Sequence, residues 1–212
     1  MSFDSIAPYY NIIERIFAGG KMQRARVAFL WKIPEPQKIL VLGEGPGSFL
    51  VMARQVFPNA EITCLDASSA MLEKTKQRLQ RHNISLDSVT FLHQDLFSWQ
   101  PLMQTYDLIV TNFFLDCFTA KELEHLVPIL SRAATSNALW LIADFQISRA
   151  RIMEKISQLL VKTLYLFFRR VAAISATELA SPHYLLEKNG FQLQEYKELC
   201  GGLLRSESWK AA

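Results

Sequence analysis

The run Ile39-Leu40-Val41-Leu42-Gly43-Glu44-Gly45-Pro46-Gly47-Ser48-Phe49-Leu50 carries three structural signals in succession. Residues 39–42 are all apolar, which suits a short strand buried on both faces. Gly43, Gly45 and Gly47 then allow positive φ and let a ligand approach the backbone closely. From Ser48 onward, Phe49, Leu50, Ala53, Val56 and Phe57 recur at helical spacing. Strand, glycine turn and helix, in that order, build the cofactor sites of open α/β sheets. The glycine spacing is G-x-G-x-G, whereas dinucleotide-binding turns carry G-x-G-x-x-G.

The rhythm continues on the C-terminal side. Residues 61–66 (Glu-Ile-Thr-Cys-Leu-Asp) read as a second strand ending in an acid, and Ser68 and Ser69 are placed to cap the helix that follows. Strands are expected at 89–92, closed by Gln94-Asp95, at 108–110, leaving through Thr111-Asn112-Phe113-Phe114, and at 138–142. Thr119 with Glu122 fits a capping box, and Pro128 predicts a bend near that helix's end. Strands alternating with helices imply a parallel sheet covered on both faces.

Residues 148–176 break the pattern as a helical insertion, with Leu159, Leu160, Leu164, Phe167 and Phe168 interrupted by Lys162, Arg169 and Arg170. Ser181-Pro182 opens a last helix and Gly190 stops it. A sixth strand at 191–198, the Gly201-Gly202 turn and a seventh at 203–209 read as an antiparallel hairpin. Ahead of the glycine turn, residues 1–33 form a helical cap with Ile6, Tyr9, Tyr10, Ile13, Ile16 and Phe17 at roughly helical spacing. All of this reads as a single domain over residues 1–212.

Composition narrows the function classes. Half of the residues are hydrophobic and the formal net charge is +3, with no dense Lys/Arg run, so a nucleic-acid partner is not expected. Cys64, Cys117 and Cys200 are scattered and form no CxxC pair, which predicts reduced thiols in a cytoplasmic protein and no metal site. The opening MSFDSIAPYYNII lacks the basic-then-apolar pattern of a signal peptide, and no transmembrane span is expected.

A helix N-terminus behind a glycine turn suits an anion. Here Glu44 adds negative charge inside the turn and Pro46 removes a donor, so a cationic or zwitterionic ligand fits better than a pyrophosphate. Asp66, at a strand end, is placed to accept from both hydroxyls of a ribose, and Asp95 from an amine of a base ring.

These segments, V-L-G-E-G-P-G, L-D-A-S-S-A-M-L, Q-D-L and Y-D-L-I-V-T-N, resemble the class I S-adenosyl-L-methionine-dependent methyltransferases. Within them the pattern is most similar to the quinone-biosynthesis (ubiquinone and menaquinone) and related small-molecule enzymes. The resemblance implies a Rossmann-like α/β fold with a seven-stranded, mostly parallel sheet, an antiparallel last strand and helices on both faces. It implies cofactor contacts from Gly43, Glu44, Gly45 and Gly47, from Asp66, Ala67 and Met71, from Asp95 and Leu96, and from Asn112 and Phe113. The family usually carries an acid two residues before the first glycine of the turn; Val41 stands there in this chain.

Methyl transfer from a sulfonium is an in-line displacement whose leaving group needs no proton, so alignment and exclusion of water suffice unless the acceptor must be deprotonated. Tyr10, His183 and Asp116 are the candidates for such a base. The aromatic-rich cap and insertion point to a small aromatic or lipophilic acceptor, and the cationic insertion to peripheral membrane contact. Thr111-Asn112-Phe113-Phe114 is not the N-P-P-Y type of enzymes that methylate nucleic-acid bases. A noncatalytic cofactor-binding module and a nicotinamide-dependent oxidoreductase remain as alternatives; the sequence assigns neither the methylated atom nor an oligomeric state.

Overall fold

The computed structural model describes residues 20–171 and 174–212. Tyr10 and the other aromatic and aliphatic positions of the cap before Gly20 lie outside the described residues. Within the described part of the expected cap lies helix α1 (Lys21–Arg26). Beyond it the chain tightens into turns, with Leu30 N–H donating to the Val27 carbonyl at 3.2 Å.

Seven strands follow: β1 (Lys38–Leu42), β2 (Glu61–Asp66), β3 (Val89–His93), β4 (Tyr106–Asn112), β5 (Ala134–Phe145), β6 (Phe191–Leu199) and β7 (Leu204–Ala211). They form one sheet in the order β3-β2-β1-β4-β5-β7-β6. Strand β7 runs antiparallel to both its neighbours, and β1 to β5 pair in parallel. The expected hairpin is present, closed by a tight turn over Cys200–Gly202. Strand β5 is much longer than its apolar centre suggested, because it pairs with β4 as far back as Ala134 and with β7 as far forward as Phe145.

The helices are α2 (Ser48–Val56), α3 (Ser69–Arg81), α4 (Ala120–Ala133), α5 (Arg151–Val171) and α6 (His183–Lys188). Ser68 caps α3 by accepting the Met71 N–H at 3.1 Å. Thr119 and Glu122 make both halves of the predicted capping box on α4. Pro128 does not end α4, which continues to Ala133; the carbonyl its ring leaves unpaired belongs to exposed Glu124.

Strand alternation divides the core between the two faces of the sheet. Leu40, Leu42, Ile109 and Trp140 pack with Leu123, Leu126 and Leu130 of α4. Ile39, Val41, Leu108 and Val110 pack with Phe49 and Leu50 of α2 and Leu79 of α3. Burial of each such side chain contributes about 2 kcal/mol. The sheet order reverses direction between β1 and β4. Open α/β sheets place their ligands at that point, outside the carboxyl ends of the strands.

Candidate cofactor site

The glycine turn leaves β1 at this reversal. Gly43, Gly45 and Gly47 have φ of 61°, 67° and 87°, the left-handed region in which side chains are strained. The turn is also held from both sides. A Cβ on Gly43 would lie 2.2 Å from the Phe114 ring, and one on Gly47 would lie 3.0 Å from Thr75 Cα. Thr75 Oγ1 donates to the Gly45 carbonyl at 2.8 Å, and Gly43 N–H donates to the Leu65 carbonyl at 3.0 Å.

A cavity of about 260 Å³ opens beside this turn. Gly43 and Gly45 form its floor; Asp66, Ala67 and Met71 follow from β2 and the start of α3; Asp95 and Leu96 from the loop after β3; and Phe113 from the end of β4. Eight of the cofactor positions expected from sequence thus share one wall system. Asp66 is buried, and its Oδ1 accepts the Ser68 N–H at 2.8 Å, which fixes the carboxylate at the strand end. Asp95 is exposed at the rim, with its Oδ1 accepting the Phe97 N–H at 2.9 Å.

Three expected positions do not line the cavity. Gly47 packs against Thr75, as above. Glu44 is buried, and its Oε1 accepts the N–H groups of Phe49 at 2.7 Å and Leu50 at 3.2 Å. It therefore occupies the N-terminus of α2, where the free donors of a helix would otherwise take an anion. Burial pushes the Glu44 carboxyl up to about 7, against the charge of Arg26 and the two N–H donors. Asn112 is buried at the end of β4, on the α2 side of the sheet by strand alternation.

On that side, Glu44 Oε2 and both amide atoms of Asn112 are buried without a hydrogen-bond partner, as is Gln23 Oε1 of α1. Each unsatisfied atom costs about 1–3 kcal/mol. The donor and acceptor set suits a ligand carrying both a positive and a negative group, and Arg26 is buried on the same elements, over the Phe113 ring at 5.0 Å.

The two remaining base candidates border one cavity of about 190 Å³ but differ in their partners. His183 Nε2 lies 2.9 Å and 3.1 Å from the two carboxylate oxygens of buried Glu207, which also accepts from Arg205 and from Trp209 Nε1. That engagement ties the His183 ring to β7. Asp116 is buried in the turn after β4, where Tyr165 donates to its carbonyl at 2.6 Å. Its side chain borders a small apolar cavity beneath α5, and that cavity shares Phe113 and Cys117 with the larger one. Burial pushes the Asp116 carboxyl up to about 6. Asp144, at the end of β5, is raised as well, first by burial and then by the charge of Asp116. Burial also raises the Cys117 thiol, which suits a neutral filler and not a nucleophile.

Sequence reasoning missed much of the aromatic lining. Phe114 and Phe118 meet edge to face at 5.1 Å, Phe97 meets Phe118 at 5.9 Å, and all three border the cavity. The i, i+4 spacing of Phe114 and Phe118 beside the β4 exit was the available signal. Glu122 and Ser175 complete the rim, with Ser175 Oγ donating to Glu122 Oε2 at 2.6 Å although 53 residues separate them in sequence. Nothing local in sequence announces that pair. Among the described residues no group of His, Cys, Asp and Glu is arranged to hold a metal ion.

The family description "Methyltransferase domain" matches residues 39–137, the segment holding the turn, Asp66, Asp95 and the β4 exit. The trans-aconitate 2-methyltransferase of Yersinia pestis (strain Pestoides F) is 35% identical over 108 residues, which cover 50% of this chain and 38% of that enzyme. The chain therefore matches well under half the length of this relative. In fold, the chain is similar to mitomycin 7-O-methyltransferase, with a TM-score of 0.72 and 17% identity over 100% of this chain and 61% of the other. It is also similar to magnesium protoporphyrin IX methyltransferase from Synechocystis PCC 6803, solved with bound SAH. There the TM-score is 0.68 at 15% identity, covering 99% of this chain and 96% of the other. The seven-stranded Rossmann-like architecture of the described residues is thus shared with these structures.

Proposed function

We propose that this chain is an S-adenosyl-L-methionine-dependent methyltransferase acting on a small aromatic or lipophilic acceptor. The observation that carries the reading is the single cavity in which the glycine turn, Asp66 and Asp95 meet. When bound, the cofactor supplies an electrophilic methyl group on a sulfonium. In this reading the Asp66 carboxylate accepts from the ribose hydroxyls and Asp95 from the adenine amine, while Met71, Leu96 and Phe97 give the ring an apolar seat. Glu44 Oε2 and the Asn112 amide take the ammonium and carboxylate of the methionine end. This supplies a role for Glu44 in place of the family's acid at position 41, where Val41 is committed to the core.

The acceptor enters through the apolar cavity bordered by Phe113, Phe145, Leu164 and Tyr165, next to the cofactor cavity. Asp116 borders both this cavity and one of about 190 Å³ that Asp144, His183 and Glu207 also line, and acts as the base where the acceptor must lose a proton. The closeness to quinone-biosynthesis enzymes rests on sequence motifs alone. The absence of a nucleic-acid partner and a cytoplasmic location rest on the mild charge and unpaired cysteines.

Isothermal titration of the purified chain with S-adenosylmethionine, S-adenosylhomocysteine and NADH, beside Asp66→Ala, tests the reading. Binding of both sulfur ligands that weakens by about tenfold to a hundredfold in the variant is expected, the range for hydrogen bonds to a charged group. A response to NADH alone makes the site an oxidoreductase's. Binding without methyl turnover across phenols, quinols, amines and carboxylic acids makes the chain a noncatalytic module.

A further inference from the structure

The outer face of α5 is apolar and cationic at once. Ile156, Leu159 and Leu166 are 50%, 69% and 56% exposed. Lys155, Leu159, Lys162, Leu166 and Arg169 succeed one another at alternating four- and three-residue steps, so they form one stripe along the helix, with Ile156 and Arg170 beside it. Four exposed basic side chains on this surface are opposed by one acid, Glu154, on its flank.

The opposite side of the helix is committed to the fold. Val161 and Tyr165 pack with Ile174, Phe145 and Leu203, and the Tyr165 hydroxyl is bonded to the Asp116 carbonyl. The helix therefore cannot rotate to hide its leucines without breaking this packing. Among the described residues no helix is long and apolar enough to cross a membrane. A two-sided helix with apolar groups rising between cations, too polar to insert, matches the physical requirements of a helix lying in a headgroup layer.

We infer that the outer face of α5 docks on the anionic headgroup surface of a lipid bilayer. Charge selects this occupant over a second copy of the chain: a two-fold contact through the stripe would set its lysines and arginines against the same residues of the partner. An anionic surface pairs with all four, while Ile156, Leu159 and Leu166 enter the acyl boundary. Val161, Leu164, Tyr165 and Phe168 line the apolar cavity from the inner side of the same helix. Docking thus brings that cavity to about one helix diameter, roughly 10 Å, from the lipid.

Co-sedimentation of the full chain with phosphatidylcholine vesicles, with and without phosphatidylglycerol, tests the inference without reference to methyl transfer. Binding is expected to need the anionic lipid and to fall with added salt. The double variant Lys162→Glu with Arg169→Glu is expected to weaken it by about 25-fold or more, roughly fivefold for each basic side chain removed. Leu159→Ser with Leu166→Ser, which leaves the charges in place, is expected to weaken it independently. Thermal melts of both variants report whether the fold is retained. Equal sedimentation with both vesicle types, or unchanged binding by folded charge-reversed protein, overturns the inference. So does a concentration-dependent dimer in light scattering that Leu159→Arg abolishes, since a second copy would then occupy the face.

Discussion

Glu44 Oε1 receives the Phe49 N–H at 2.7 Å, so an acid of the glycine turn caps the very helix whose N-terminus the turn exposes. In a dinucleotide-binding turn those donors face a pyrophosphate. Here the side chain accepts from those donors in the pyrophosphate's place. The turn keeps its close backbone approach at Gly43 and Gly45, while its electrostatics favour a ligand that is not an anion at this point. The same carboxylate is buried, which makes it a pH-dependent part of the fold.

Glu44 has a folded value of about 7 against an ordinary 4.5. A raised carboxyl contributes stability that is full below about 4.5 and is lost as pH rises through about 7. The difference corresponds to roughly 3 kcal/mol. Urea unfolding of the ligand-free protein is expected to show this loss between about pH 5 and about pH 8. In Glu44→Gln that part of the loss disappears. An unchanged pH slope in Glu44→Gln would mean that the Phe49 and Leu50 N–H groups keep the carboxylate ionised throughout.

Gly43 and Gly190 separate backbone strain from steric collision. Both have positive φ, 61° and 85°, but a Cβ at Gly190 meets nothing within 4 Å, whereas at Gly43 it strikes the Phe114 ring at 2.2 Å. Gly190→Ala is expected to cost about 1–2 kcal/mol, a few degrees in melting temperature, with cofactor binding intact. Gly43→Ala must also displace Phe114 from the cavity wall, so it is expected to destabilise further and to weaken S-adenosylhomocysteine binding. Matching behaviour of the two variants in both assays would remove Phe114 from the account.

Much of this arrangement is legible in sequence, because the signals are local. Leu40, Leu42, Gly43 and Ser48 announce strand, turn and helix within one short run, and Asp66 and Ser68 do the same for the next unit. Asp95 follows its strand as directly. What stays hidden depends on long-range geometry. The Glu44 carboxylate turns its Oε1 toward Phe49 and Leu50 because the αL path of the glycines curls it back over α2. The partner of Ser175 is Glu122, 53 residues earlier in the sequence. The polar Thr135-Ser136-Asn137 segment conceals that β5 begins at Ala134, immediately after α4. His183 and Glu207 meet only because β7 folds back antiparallel beside β5.

That last pair yields a prediction that distinguishes a structural histidine from a base. Burial would raise the Glu207 carboxyl, but hydrogen bonds from His183 and Trp209, with the charges of His183 and Arg205, outweigh it and hold it below the ordinary 4.5. A lowered carboxyl contributes stability that is present above about 4.5 and is lost as pH falls through its folded value. His183→Ala removes one of these partners. It is expected to destabilise the protein by about 1–2 kcal/mol at neutral pH and to move the onset of acid unfolding to higher pH. Methyl turnover at saturating substrates is expected to stay within about twofold of wild type, well short of the hundredfold a lost base would give. A hundredfold loss with unchanged stability would return His183 to the chemistry.

Asp116 carries the opposite expectation. It borders the apolar cavity that shares Phe113 and Cys117 with the cofactor cavity, and burial holds its carboxyl at about 6 against an ordinary 3.8. A carboxylate at that value is a competent base above about pH 6 and is protonated below it. With an acceptor found by screening, kcat/KM is expected to rise with pH through about 6 and then level. Asp116→Asn is expected to lower turnover by about a hundredfold or more and to abolish that rise. S-adenosylhomocysteine binding should not change, because Asp116 does not line the larger cavity. The sign of the stability effect sharpens the test. Ionised, buried Asp116 weakens the fold above its folded value, so Asp116→Asn is expected to be more stable than wild type at about pH 8. A variant that is more stable and fully active would show that the group burdens the fold without serving the reaction. A variant more stable but inactive is the signature of a residue kept for chemistry.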